Sequence, residues 1–160
     1  MSLRRAYTPA DDRSTFHGGD LMAQYLRDIM TQRPVTLQTT DTVVAAARSM
    51  RDGNIGDVVV LEENRIQGIL TDRDIVIRAL AEGRDPVRTT VGEICSRELT
   101  TLSPADAIAD AVKIMRDKAI RRLPVVEEGR PVGIVSLGDL AVERDPESAL
   151  GGISAAPPNR

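Results

Sequence analysis

Four residues repeat one chemical signature. Thr71 precedes Asp74 by three positions, and Ser136 precedes Asp139 in the same way. Each pair ends a similar run: Gly68-Ile69-Leu70-Thr71-Asp72-Arg73-Asp74, then Gly133-Ile134-Val135-Ser136-Leu137-Gly138-Asp139. A hydroxyl both donates and accepts hydrogen bonds, and an ionised carboxylate accepts only, so the pair suits a polar ligand. The same spacing is a helix capping box with Asp in place of Glu, a device worth ~1 kcal/mol by itself. The residues alone leave both readings open. Arg121-Arg122 adds two guanidinium forks that fit phosphate geometry, although such a pair also reads as a solvated or salt-bridged loop.

Catalysis finds little support. His17 is the sole histidine and Cys95 the sole cysteine, so neither a nucleophile–histidine pair nor a His/Cys zinc cluster is expected. No phosphate-cradling GxxxxGK[ST] loop is present, and Asp72 and Asp74 fall on different faces of a helix. Cys95 excludes an intrachain disulfide and reads as a small buried hydrophobe in a reducing, cytoplasmic setting. His17 reads as a solvated loop residue.

Composition narrows the partners. The net charge is −3, which argues against a general nucleic-acid or anionic-membrane surface. The aromatics Tyr7, Phe16 and Tyr25 all precede residue 26, so the body of the chain offers no base-stacking platform. No apolar run approaches the ~20 residues that span a bilayer. Nucleic acid and membrane are therefore not expected partners.

The elements that must hold these residues are written twice. Setting residue n against n + 65 aligns positions 28–75 with 93–140 without a gap, including Ile29/Ile94, Thr36/Thr101, Asp41/Asp106, Met50/Met115, Ile55/Ile120 and Gly68/Gly133. A gapless echo of that length means a duplicated supersecondary unit. Each copy reads as a short strand (35–37; 100–102) and a helix whose apolar stripe is Val43, Ala47, Met50 or Ile108, Val112, Met115. In the second copy Ser103-Pro104-Ala105-Asp106 is expected to start that helix. Two β-branched strands at hairpin spacing follow, then a second helix after Thr71 or Ser136, ending in the first copy at Gly83. Residues 1–24 read as a flexible arm, 83–90 as a connector and 144–160 as a disordered tail.

A tandem β-α-β-β-α unit ending Gly-Ile-[Leu/Val]-[Thr/Ser]-x-x-Asp resembles a pair of CBS domains, the cystathionine β-synthase type. The resemblance covers about residues 25–142, placing one domain at 25–82 and another at 91–143. Arg121-Arg122-Leu123-Pro124-Val125-Val126 is similar to the family's approach to its second strand. Leu70 to Arg78 resembles small stand-alone bacterial CBS-pair proteins of the hypoxic-response type. The resemblance implies an α/β (α+β) fold of two pseudo-symmetric units packed as one module, with a cleft between them. It further implies a non-catalytic regulator, commonly a homodimer acting on some protein partner. It needs no cofactor, and its ligand is AMP, ADP, ATP or S-adenosylmethionine.

Carried onto this sequence, Asp74 and Asp139 would hold ribose hydroxyls, and Ile55 and Ile120 would flank an adenine. Asp74 and Thr71 would face Ser96, Thr101 and Ile120, whereas Asp139 and Ser136 would face Thr31, Thr36 and Ile55. Arg121, Arg122 and Arg73 favour the first site for phosphate. Their counterparts in the repeat are Gly56, Asp57 and Gly138, and a carboxylate at 57 would repel phosphate from the second. The alternative is a ligand-free homodimeric scaffold, in the same setting of bacterial stress or hypoxia.

Overall fold

The β-branched runs form two hairpins. The computed structural model describes residues 23–157. In it β3 (Asp57–Glu62) pairs antiparallel with β4 (Arg65–Thr71), and β5 (Arg122–Glu127) with β6 (Arg130–Ser136). Each hairpin turns on two residues of positive φ: Glu63 (49°) and Asn64 (65°), then Glu128 (50°) and Gly129 (79°). Two left-handed residues in so short a loop match the right-handed twist of the strands.

The leading strand exists in only one copy. β2 (Thr36–Gln38) runs parallel to β3. At the matching position Leu102 makes a single bridge to Val125. The cause is Pro124. Its counterpart Val59 donates its N–H to the Val35 carbonyl at 2.9 Å. A proline has no N–H to give, so the second ladder shrinks to the bonds on either side of it.

The first helices, α2 (Val43–Gly53) and α5 (Ile108–Lys118), bury Val43, Ala46, Met50 and Ile108, Ala111, Met115. The stripe therefore runs through Ala46 and Ala111; Ala47 and Val112, expected in it, are exposed. The expected cap at Ser103–Asp106 is instead a closed turn before the helix. The Asp106 carboxylate accepts the Ser103 N–H at 2.7 Å, and the helix starts five residues after Ser103, at Ile108. The turn's outward carbonyls are already engaged, Asp106 O by the Leu26 N–H and Pro104 O by the Arg27 N–H, each at 3.0 Å.

That docking reveals how the halves are joined. The short helix α1 (Leu26–Ile29) and strand β1 (Thr31–Gln32) open the first repeat, yet β1 pairs with β6 of the second. In mirror fashion α4 (Val91–Ile94) and Ser96, which open the second repeat, lie on the first sheet, where Ser96 bridges Ile69. The sheets are thus ordered β2-β3-β4 and β1-β6-β5. One core contains Val58, Val60, Leu70 and Ile75 together with Val91, Ile94 and Cys95. The other contains Leu123, Val125 and Val135 together with Leu26, with Ile29 and Met30 against it. Each half finishes its core with a segment exchanged from the other. The fold is the expected α+β pair of pseudo-symmetric units.

The second helices differ. α3 (Asp72–Asp74) widens into a π-helical stretch, Ile75–Leu80, that ends near Gly83 (φ 66°). Its counterpart α6 (Leu137–Arg144) is α-helical. The expectation of a disordered tail over 144–160 fails: Ala149–Ala155 forms α7, packed on α6. Ser148 caps it by accepting the Gly151 N–H at 3.0 Å, and close packing of Gly151 on Asp145 and Pro146 fixes the turn. The expected arm, with His17, lies almost wholly outside the described residues. Among the described residues no helix is long and apolar enough to cross a membrane.

Candidate functional site

The exchange turns Thr71 and Asp74 toward the second half. Asp74 sits just inside α3, where its Oδ2 accepts the Thr71 N–H at 2.9 Å and the Thr71 hydroxyl at 2.7 Å. Thr71 Oγ1 accepts the Asp74 N–H in return at 3.2 Å. One turn further on, Arg78 Nη2 stands 3.5 Å from Asp74 Oδ1. The capping box is therefore closed, and Arg78 holds the carboxylate on its far oxygen. A carboxylate has about four lone-pair sites, so this one keeps acceptor capacity while its orientation is fixed.

These two residues open on a cleft of ≈ 200 Å³, or ≈ 620 Å³ with its open mouth counted. Ser96, Ile120, Arg121 and Arg122 join them there, from the second repeat. Arg121 and Arg122 are placed by the start of β5, Ser96 by its bridge to Ile69, and Ile120 by the N–H bond it donates to the Met115 carbonyl at the end of α5. Six residues predicted for the first site are thus brought together. Two are not. Thr101 is exposed and outside the lining, where Thr100 takes its place and accepts a hydrogen bond from Lys118 Nζ at 2.6 Å. Arg73 is exposed and also outside the lining, because it lies on the outer face of α3.

Glu98, Leu99, Ile69 and Pro124 complete the lining and were missed. Glu98 and Leu99 belong to the stretch leading from the exchanged segment to the Leu102 bridge. The repeat register hides them, since their counterparts are Arg33 and Pro34.

The second set repeats the cap. Asp139 Oδ2 accepts the Ser136 N–H and hydroxyl, both at 2.7 Å. Thr31 lies opposite Ile134, two residues before Ser136, while Thr36 starts β2 and Ile55 packs on the first core. Asp57 was read as a carboxylate facing this second site. It is also the counter-ion of Arg122, whose Nε lies 3.0 Å from its Oδ1. Burial pushes the Asp57 carboxyl above its ordinary range; Arg122 draws it back, and the charges of Asp72 and Asp139 push it up again. Cys95 is buried, as expected of a small hydrophobe, and burial pushes its thiol up.

An exchanged pair of hairpin–helix units around a shared cleft defines a tandem-repeat module. The CBS domain family model matches residues 26–80 and 91–144, and the chain belongs to that family. Among curated relatives it is 40% identical over 126 residues to the CBS domain-containing protein YhcV of Bacillus subtilis, covering 79% of this chain and 89% of that protein. It is 38% identical over 125 residues to Hypoxic response protein 1 of Mycobacterium tuberculosis, covering 78% and 87%. Among solved structures, Hypoxic Response Protein I with two coordinated zinc ions superposes with a TM-score of 0.66 at 37% identity, covering 73% of this chain and 96% of that one.

Proposed function

We propose that this protein is a non-catalytic regulator that holds an adenosine-containing ligand, AMP, ADP, ATP or S-adenosylmethionine, between its two CBS units. The observation that carries the reading is the cleft itself, which gathers Thr71, Asp74, Ser96, Ile120, Arg121 and Arg122 from both repeats. Asp74 accepts from the ribose hydroxyls, Ile120 with Ile69 offers an apolar wall to the base, and the Arg121-Arg122 corner meets phosphate. A ligand touching both repeats binds best at one angle between them, and so shifts the population toward that angle. A partner that distinguishes the angles then reads the ligand.

Self-association accompanies the reading. Val76, Ile77 and Leu80 are 55%, 44% and 54% exposed on the π-helical stretch, an apolar face suited to a second copy of the chain. The closed caps and the Arg122–Asp57 pair favour a second reading, a ligand-free scaffold whose cleft satisfies itself. Thermal unfolding with AMP, ATP and S-adenosylmethionine separates the two, because a ligand at ~100 times its Kd adds ~2.7 kcal/mol. Titration calorimetry then ranks the sites. Asp74→Ala is expected to weaken adenylate binding more than Asp139→Ala does, and the reverse order would refute the assignment.

A further inference from the structure

Asp57 and Arg122, one repeat length of 65 residues apart, occupy the same position of the two repeats. Each opens a hairpin, Asp57 opposite Thr71 and Arg122 opposite Ser136. Their ion pair therefore crosses between the repeats, joining β3 to β5 at the cleft. The Asp57 side chain is 14% exposed and that of Arg122 is 38% exposed. Gly56 makes the room: a Cβ there would lie 3.3 Å from Arg122 Nη2 and 3.5 Å from Asp72 Oδ2. The guanidinium thus rests over bare backbone with carboxylates on its inner side, while it lines the cleft on its outer side.

A guanidinium has five N–H donors, and Arg122 meets Asp57 through Nε. Arg122 lines the cleft and has further N–H donors, but the positive charge that would attract a phosphate is already matched by Asp57. We propose that Asp57 is an internal competitor for Arg122, a resident carboxylate that any phosphate in the cleft must share or displace. The proposal rests on the nucleotide reading for the identity of the ligand, though not for the competition itself. Asp57 then sets the preference among adenosine ligands by the charge they carry. A ligand without phosphate does not feel it. A phosphorylated one loses affinity to it, and in binding loosens the one ion pair that ties the two hairpins together among the described residues.

The test titrates the wild-type protein and Asp57→Asn with adenosine, AMP and inorganic pyrophosphate by calorimetry, and follows the Arg122 Nε–H resonance. Asp57→Asn is expected to bind AMP and pyrophosphate roughly three- to ten-fold more tightly, with adenosine unchanged to within about two-fold. The Arg122 resonance moves with pyrophosphate at lower concentration in the variant. Adding Arg122→Gln to Asp57→Asn abolishes the gain. Equal affinity of wild type and Asp57→Asn for pyrophosphate, no response to pyrophosphate in either, or a gain that survives Arg122→Gln each overturns the competition. Wild-type protein that binds neither adenosine nor AMP overturns the nucleotide reading instead, and the pyrophosphate titration still decides the role of Asp57.

Discussion

Gly68 and Gly133 head the two motifs that carry the candidate chemistry, and their reason is steric. A Cβ on Gly68 would fall 2.7 Å from Cys95 Sγ and 2.8 Å from the Ser96 carbonyl oxygen. On Gly133 it would fall 2.5 Å from Met30 Sδ. Met30 and Cys95 are themselves repeat counterparts, so each glycine gives passage to the segment exchanged from the other half. Gly68→Ala is expected to cost ~1–3 kcal/mol, the range for overpacking a tight contact. Urea unfolding measures it. Cys95→Ala in the same chain should restore only part, because the Ser96 carbonyl is backbone and remains in the way. Full restoration would show that the thiol alone set the limit. At this scale the family resemblance, laid on the 65-residue register, grouped Thr71, Asp74, Ser96, Ile120, Arg121 and Arg122, and all six line one cleft. The Asp57–Arg122 pair was not legible. The register treats the two as alternatives for one role at separate sites, whereas the fold brings them face to face.

The elements show where a repeated sequence stops giving repeated structure. Pro124 for Val59 removes one N–H, and a three-residue strand becomes one bridge. The pattern of β-branched residues survives such a change, so periodicity could not report it. The helix ends differ by a subtler substitution. Asn54 and Ala119 follow α2 and α5 in the left-handed region, at φ 48° and 53°. Asn tolerates that conformation through its short polar side chain; Ala pays the Cβ–carbonyl contact in full. Ala119→Gly is therefore expected to stabilise the protein by ~1 kcal/mol, the steric relief less the extra chain entropy of glycine. Thermal unfolding at matched concentration checks it, and a lowered Tm would mean that the Ala119 methyl packs in a way that offsets its strain. The tail carried the opposite lesson. Its Gly, Ser and Ala content suggested disorder, yet a serine cap and a partner helix were enough to fold α7.

At the scale of the molecule, the boundaries of the repeat and the boundaries of the core do not coincide. A 65-residue period says that a unit was duplicated, but not which sheet each lead-in segment joins. The exchange predicts which pieces of the chain can stand alone. Residues 25–82 hold one full repeat in sequence, but lack Val91, Ile94 and Cys95, which are 0%, 2% and 7% exposed in the first core. Burying a side chain of that size contributes ~1.5–3 kcal/mol, so their joint loss is comparable with the ~5–15 kcal/mol that separates folded from unfolded domains. The same fragment keeps Leu26, Ile29 and Met30, whose core it lacks, and so exposes them. A fragment of equal kind, residues 33–99, reverses both faults, keeping β2, β3, β4 and the α4–Ser96 segment that closes them. It is expected to unfold cooperatively in urea and give a dispersed amide spectrum, while 25–82 does neither. If 25–82 folded as well as 33–99, the exchanged segments would be decoration on self-sufficient halves. The link between them would then rest on the cleft and on the pairing of Asp57 with Arg122.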